Sequence, residues 1–283
     1  MKGALTLAAA VFLLGTLAGC GAAILKKPEV LSVKKLAIVS VAINTDTYNI
    51  EEAKEKSGLD VRALKKLVGM EESIDTDPYL QLATAGLEAF TTTLNDMPQW
   101  DLIPPADVLN NEAYKAATWQ GKAFFVAPPG MHLIPFADAA RSGSTTVVDG
   151  KEIHEEARKK LGQMAKDLGV DGVVVIEIDF GYEPVFLSGM KGTGLLSGIR
   201  APAKPSVSTA ILIVTQDGTI AAQSPAIVKG QGTRYAGEKV PMIQSGKVDL
   251  KDDEGKSIKG AADTILMAAQ GIIARILKEF EAQ

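Results

Sequence analysis

Residues 157–180 read ARKKLGQMAKDLGVDGVVVIEIDF. Two periodicities meet in this stretch. From Lys151 onward the apolar residues Ile153, Ala157, Leu161, Met164 and Leu168 recur every three or four places. That is the spacing of one helical face. Gly169 then supplies a C-terminal stop, because glycine adopts the left-handed conformation that ends many helices. After Asp171-Gly172 the run VVVIEIDF is dense in β-branched residues. It reads as a strand buried on both faces, the kind found inside a parallel sheet. Helix, glycine and apolar strand make half of a βαβ unit, which points to an α/β fold.

Upstream, KLAIVSVAI from Lys35 to Ile43 reads as a second buried strand. Residues 44–77 are a polar excursion, with short helices predicted over Glu51–Lys56 and Asp60–Val68. Asp77-Pro78 opens a helix whose apolar stripe is Leu80, Ala83, Leu87, Phe90 and Leu94; Asp suits the cap and Pro the first turn. Met97-Pro98 ends it. Trp100–Ile103 follows as a strand, stopped by Pro104-Pro105, and Ala106–Ala117 as a short helix. Residues 118–150 form an apolar loop, since Pro128, Pro129 and Pro135 exclude a central strand or regular helix. Thr145–Val148 with Asp149-Gly150 closes it as a turn, and Lys151–Leu168 is the second strong helix.

Downstream, residues 181–205 are glycine-rich and read as a loop. Ser206–Thr215 is a strand, Asp217-Gly218 a hairpin signal, and Thr219–Lys229 its partner, edge or bulged because of Pro225. Residues 230–256 show no sustained period. Ser257–Glu281 is a long amphipathic helix with the stripe Ile258, Ala262, Ile265, Ala269, Ile272, Ile273, Ile276 and Phe280. The expectation is one α/β domain over 35–283: a mixed sheet with flanking helices, a long C-terminal helix, and insertions at 118–150 and 181–205.

The amino terminus carries the most specific motif. Lys2 precedes an uncharged run from Ala4 to Leu17. Its length suits a signal-peptide core of roughly 7–15 residues rather than a span of about 20. It closes on Leu17-Ala18-Gly19-Cys20, and Cys20 is the only cysteine. This resembles the bacterial lipobox at all four positions. The resemblance implies a signal peptide over 1–19, a lipid on Cys20 and a tether over 20–34. The competing readings are an ordinary cleaved signal with a chance cysteine, or an uncleaved anchor. A lone cysteine in an exported chain weighs against both. Gly21 stands where Asp would resemble an inner-membrane retention signal, so the resemblance implies the outer membrane, facing the periplasm.

The mature chain would keep 283 − 19 = 264 residues, and losing Lys2 moves the formal charge from −4 to −5. A mildly acidic chain has no electrostatic case for binding nucleic acid. With no further cysteine, disulfides cannot contribute, and stability rests on a buried core.

Strand, helix, strand, helix, strand, hairpin and terminal helix is similar to a group of envelope proteins. These are the curli secretion-channel lipoprotein (CsgG), the TolB amino-terminal domain and the lipoprotein activators of penicillin-binding proteins. The carrying segments are KKLAIVSVAI, LEAFTTTLNDMPQWDLIPPADV (87–108), ARKKLGQMAKDLGVDGVVVIEIDF (157–180) and STAILIVTQDGTIAAQSP (208–225). The resemblance implies a CsgG/TolB-N-like fold and a non-enzymatic lipoprotein. It would act as a binding, accessory or assembly factor for an envelope complex. The alternative is a subunit of an oligomeric outer-membrane channel, which needs amphipathic hairpins from 118–150 or 181–205. A spanning strand takes about 9–11 alternating residues; prolines break the first insertion, and the second reads as poorly alternating.

The chemical inventory is thin. Gly192-Thr193-Gly194 with Gly198 departs from a dinucleotide loop, because Ser197 holds the third glycine's position. Gly255-Lys256-Ser257 lacks the first glycine of a phosphate loop, Leu250 standing there. Asp249, Asp252, Asp253 and Glu254 lack calcium-loop spacing. His132 and His154 have no ligand partner at metal spacing. Glu177 and Asp179 alternate along one strand and so point the same way, which reads as an exposed strand end or a carboxylate pair. No cofactor, metal or catalytic residue is expected. The apolar loop 122–136 is the candidate contact surface, through Phe124, Phe125, Met131, Leu133, Ile134 and Phe136. These residues either cover the sheet or meet a partner or membrane interface. The expected partners are the membrane, through the N-terminal lipid, and an envelope protein, with a homo-oligomer as the channel alternative.

Overall fold

A computed structural model describes residues 24–25, 29–44, 77–119, 125–140, 147–148, 151–152, 154–184, 201–224, 234–236, 240–244, 247–248 and 256–281. Cys20, Phe124, the 45–76 excursion, the glycine motif at 192–198 and the acidic cluster at 249–254 lie outside the described residues.

The centre is β2 (Lys35–Asn44), buried along its length after Lys35. It pairs in parallel with β3 (Asp101–Leu102) on one side and with β7 (Gly172–Pro184) on the other. β7 pairs antiparallel with β8 (Ala201–Thr215), and β8 with β9 (Ile220–Ser224). β1 (Ile24–Leu25) adds to β9, giving the order β1-β9-β8-β7-β2-β3. The sheet is therefore mixed, parallel at the centre and antiparallel towards β9, as the sequence predicts.

Helices cover both faces. α2 (Asp77–Asn95) and α7 (Lys256–Glu281) pack over Leu36, Ile38, Val41, Ile43, Val174, Ile176 and Ile178. The opposite face holds Ala37, Val39, Val173, Val175, Leu212 and Val214. It is covered by α3 (Pro105–Asn110), α4 (Glu112–Ala116), α5 (Phe136–Ala139) and α6 (Glu155–Leu168). The predicted single helix at 106–117 is two. Asn111 is extended, at φ −72° and ψ 127°, and its side chain accepts from the amides of Ala113 and Tyr114, starting α4 afresh.

β2 is not regular. Its pairing with β7 shifts between Ile38 and Ser40, leaving Val39 as an extra residue. Such a bulge puts two consecutive residues on one face. Val39 lies in the α6-side core, and Ser40 bonds to the loop that covers that face. Beyond the bulge, Val41 and Ile43 return to the α2/α7 side.

Several boundaries differ from the sequence reading. The tether is partly folded: β1 pairs with the sheet edge, and α1 (Glu29–Ser32) buries Val30, with Val33 buried behind it. α6 begins at Glu155, because Lys151–Glu152 is a strand (β6) paired with β5 (Val147–Val148). β9 is bulged rather than the sheet edge: its pairing with β8 shifts between Ile213 and Val214, and β1 lies outside it. β8 starts at Ala201 rather than 206, so both ends of the predicted 181–205 loop, 181–184 and 201–205, are strand; 185–200 lie outside the described residues. The β7–β8 pairing runs unbroken from Gly172–Thr215 to Pro184–Ala203. Along the far edge of β8, β9 is followed by β10 (Arg234–Ala236) and β11 (Val240–Gln244). β12 (Lys247–Val248) pairs back on β11. The three pieces from 220 to 244 climb one edge of β8 in sequence.

α6 sits against the β8–β9 turn. A Cβ on Gly162 would fall 2.7 Å from both the Gln216 carbonyl oxygen and the Gly218 nitrogen. Gly218, at φ +83°, supplies the left-handed residue of that turn. The Asp217-Gly218 hairpin signal is thus met, and the same turn is the floor on which α6 rests.

Candidate functional site

The apolar loop is docked on the β2 bulge. β4 (Phe125–Val126) first pairs antiparallel with Asn44 and Ile43. The chain then turns at Gly130, φ +80°, where the Met131 amide donates to the Pro128 carbonyl at 3.0 Å. A segment without regular structure must find partners for its buried amides and carbonyls. Here hydroxyls provide them. The Ile134 amide donates to Ser40 Oγ at 3.0 Å. The His132 amide donates to the Tyr114 hydroxyl at 2.8 Å, and that hydroxyl donates to the Val39 carbonyl at 2.9 Å.

His132 Nε2 lies 2.5 Å from the Tyr114 carbonyl. A carbonyl only accepts, so Nε2 carries the proton. The two rings sit 4.5 Å apart, tilted by 45°. His132 is thereby committed to holding the loop. Burial pushes the Tyr114 phenol up to about 12, against the opposing effect of the His132 amide. Below pH 10 the hydroxyl is therefore a neutral bridge between loop and bulge. Tyr114 was not singled out from sequence; its only signal is that it stands three residues after the capping Asn111.

The six candidate contact residues therefore do not form one exposed patch. Ile134 and Phe136 are buried in the α6-side core, and Met131 is buried in the α2/α7-side core. They are corrected to core residues: a loop pinned by Ser40 and Tyr114 turns them onto the sheet. Phe125 and Leu133 are half-buried, and Phe124 lies outside the described residues.

Polar residues gather at both ends of the central strands. At the carboxyl end, Asn44 Nδ2 donates to Asp179 Oδ1 at 3.0 Å across the β2–β7 pair. Glu177 and Asp179 are both half-buried. Alternation along β7 sets them on one face, as expected. The arrangement fixes Asp179 through Asn44, which the sequence reading did not identify. At the amino end, Asp171 Oδ2 accepts from the amides of Lys34 and Lys35 at 2.9 and 2.8 Å. This clamps the start of β2 to the start of β7.

His154 is half-buried just before α6, ahead of Glu155 and Glu156 in its first turn. Lys256 and Ser257 open α7. Among the described residues, no group of three or more His, Cys, Asp or Glu is placed to hold a metal ion. One helical stretch among them, Ile258–Leu277, is long and apolar enough to cross a membrane. Its inner face lies in the α2/α7-side core through Ile265, Ala269, Ile272, Ile273 and Ile276, so it is a core helix. No protein-family model matches the chain, and no curated protein matches it.

Proposed function

We propose that the protein is a lipid-anchored lipoprotein of the outer membrane, facing the periplasm. It has a CsgG/TolB-N-like domain and works by binding, as an accessory or assembly factor for an envelope complex, without catalysis. The observation that carries this reading is Leu17-Ala18-Gly19-Cys20 closing the uncharged run from Ala4. The thiol of Cys20 is the nucleophile that takes the diacylglycerol, and several acyl chains together hold a protein at a bilayer. The mixed α/β sheet, with helices on both faces and a long C-terminal helix, supports the fold group. Because β1 begins at Ile24, four residue steps lead from Cys20 to its start. At about 3.3–3.6 Å per residue, that linker reaches roughly 13–14 Å, so the domain lies against the membrane. A Cys20→Ala variant tests the anchor. It should lose the acyl mass and leave the membrane fraction; unchanged fractionation refutes the anchor.

One observation favours a second reading, a channel subunit. The β7–β8 pairing continues to Pro184 and Ala203, and β10 and β11 extend it along the β8 edge. Deleting 185–200 should then abolish conductance in planar bilayers while leaving the domain folded. No conductance from the intact lipidated protein removes this alternative.

A further inference from the structure

β1 sits at mid-height on one edge of the sheet. Ile24 pairs with Gln223, Gln223 with Leu212, Leu212 with Val175 and Val175 with Ser40, so these residues share one row. β9 runs in the direction of β7 and β2, and β1 runs against it. The amino terminus of β1 therefore points towards the carboxyl ends of the central strands. β10 and β11 stand in the same column as β9, because β7 occupies the other side of β8. β12 pairs on the outer side of β11, in the column of β1. Its Val248 stands opposite Ile243, which pairs with Ala201. From the row of Leu212 to that of Ala201 is 212 − 201 = 11 residues, or about 36 Å at about 3.3 Å each. β1 and β12 thus mark one long edge.

The short linker selects this edge. Cys20 can stand no more than roughly 13–14 Å from Ile24, and its lipid must enter the bilayer without the domain in the way. The opposite edge, β3, is five strands from β1 in the order β1-β9-β8-β7-β2-β3, about 24 Å at about 4.8 Å per strand. Each helical face stands about 15–17 Å off the sheet: half of the roughly 10 Å between packed layers plus a helix diameter of about 10–12 Å. Towards the carboxyl end, β7 and β8 stay paired to Pro184, 184 − 175 = 9 residues past the row of Ile24, or about 30 Å. A domain standing upright on that end would push these strands past Cys20 into the hydrocarbon. Towards the amino end, Gly172 lies 175 − 172 = 3 residues below the row and the β8–β9 turn lies beyond it. Reaching that end would take the whole linker folded back against the direction of β1. Only the β1 edge lies well within reach.

We infer that the sheet edge carrying β1 and β12 rests on the bilayer surface, with the strands along the membrane plane and the β3 edge turned to the periplasm. The inference rests on the lipid anchor at Cys20. Cys20 is the only cysteine, so in the acylated chain one introduced cysteine takes a fluorophore at that position alone. The test uses the full lipidated chain in phosphatidylethanolamine–phosphatidylglycerol vesicles that carry lipids spin-labelled near the headgroup. A dye at Lys247→Cys on β12, or at Gln244→Cys opposite it, should lose fluorescence. Dyes at Asp101→Cys, Gln163→Cys and Gln270→Cys, exposed on the far edge and on the two helical faces, should keep theirs. Inserting about ten residues between Gly21 and Ala22 adds roughly 33–36 Å of reach. It should abolish quenching at Lys247 while acyl mass and membrane fractionation stay unchanged. Quenching at Asp101, Gln163 or Gln270 in place of the β12 edge overturns the inference. So does an unquenched edge, as a second copy paired there would give, or quenching that survives the insertion. Quenching at Lys247 by lipids labelled deep in the acyl chains also overturns it, since the strands would then stand upright in the bilayer. A chain without acyl mass removes the anchor reading, and the inference with it; mass spectrometry shows that before any dye is attached.

Discussion

Gly162→Ala and Gly86→Ala make the same change in two helices, and the structure separates their outcomes. In an exposed helix interior, Gly→Ala stabilises by up to about 1 kcal/mol through backbone entropy and helix propensity. At Gly162 the new methyl would sit 2.7 Å from the Gln216 carbonyl oxygen and 2.7 Å from the Gly218 nitrogen. Both are backbone atoms of a turn with little freedom. The Thr215 amide donates to the Thr219 carbonyl at 2.9 Å, and Gln216 Nε2 donates to the Val170 carbonyl at 2.8 Å. Either α6 lifts or the turn distorts. Overpacking of this kind costs about 1–3 kcal/mol, so the net loss is about 1–2 kcal/mol after the propensity gain. At about 2–4 °C per kcal/mol for a domain of this size, the melting temperature should fall by about 2–8 °C. At Gly86 the near neighbour is Ile178 Cδ1, also at 2.7 Å, with Val41 Cγ1 at 3.4 Å. A terminal methyl can rotate away, so Gly86→Ala should be neutral or slightly stabilising. Urea unfolding of the chain from residue 20 onward, followed by far-UV dichroism, measures both. A Gly162→Ala variant as stable as the parent would refute the claim that α6 rests on that turn.

The remaining predictions concern the clamps. Tyr114→Phe removes the hydroxyl that donates to Val39 and accepts from His132, leaving both groups buried without it. That should cost about 1–3 kcal/mol in urea unfolding. The pH profile separates this from lost packing. The folded phenol is raised from 10.0 to about 12, so between those values the unfolded chain has released a proton that the folded chain keeps. Stability from this group is full below pH 10 and falls as pH rises towards 12, at about 1.4 kcal/mol per unit. The difference in unfolding free energy between parent and Tyr114→Phe should therefore shrink over that window; a constant difference contradicts the assignment. Asp171→Ala should free the Lys34 and Lys35 amides and cost about 1–2 kcal/mol. Their hydrogen exchange should be faster than in Asp171→Asn, which keeps an acceptor.

The sequence exposes the strands whose residues are uniformly apolar, and hides those whose burial is one-sided. β2 and β7 stand out because both faces are covered. α2 is legible as a helix, and Ala83, Phe90 and Leu94 of its predicted stripe are buried, but the buried face is turned away from Leu80 and Leu87. Tyr79, Leu82, Gly86, Ala89, Phe90 and Thr93 face the core, while Leu80 and Leu87 lie half-buried at its sides. A reading that weights large apolar residues passes over Gly86, whose missing side chain lets the helix settle on Ile178 and Val41. It also passes over Thr93, whose hydroxyl is satisfied by the Ala89 carbonyl at 2.7 Å. In the outer half of β8, Pro202 and Pro205 argue for a loop because neither can donate to a ladder. Pro205 nevertheless lies within the ladder, opposite Tyr182 of β7, and β10 and β11 pair with β8 at Ser206 and Ala203 on either side of it. The signal that outweighs the prolines is EIDFGYEP (177–184), which alternates strictly between apolar and other residues from Glu177 to Tyr182.

The loop at 122–136 shows why the candidate surface was harder to read than the fold. Its prolines correctly deny it a regular helix or central strand. Its apolar content says that it meets something, but composition cannot choose between the protein's own sheet and a partner. Polar groups decide. Burying an irregular backbone is affordable only where donors and acceptors await it, and here they are Ser40, 94 residues from Ile134, and the Tyr114 hydroxyl, 18 residues from His132. Ser40 faces the loop only because the bulge at Val39 reverses the alternation of β2. In a regular strand, Ala37 and Val39 on the α6 side would leave Ser40 on the α2/α7 side. A one-residue irregularity in the central strand thus turns an apparent contact surface into core. The solvent-facing apolar area that remains to be explained is on α7, where Leu266 and Met267 have no such loop to cover them among the described residues.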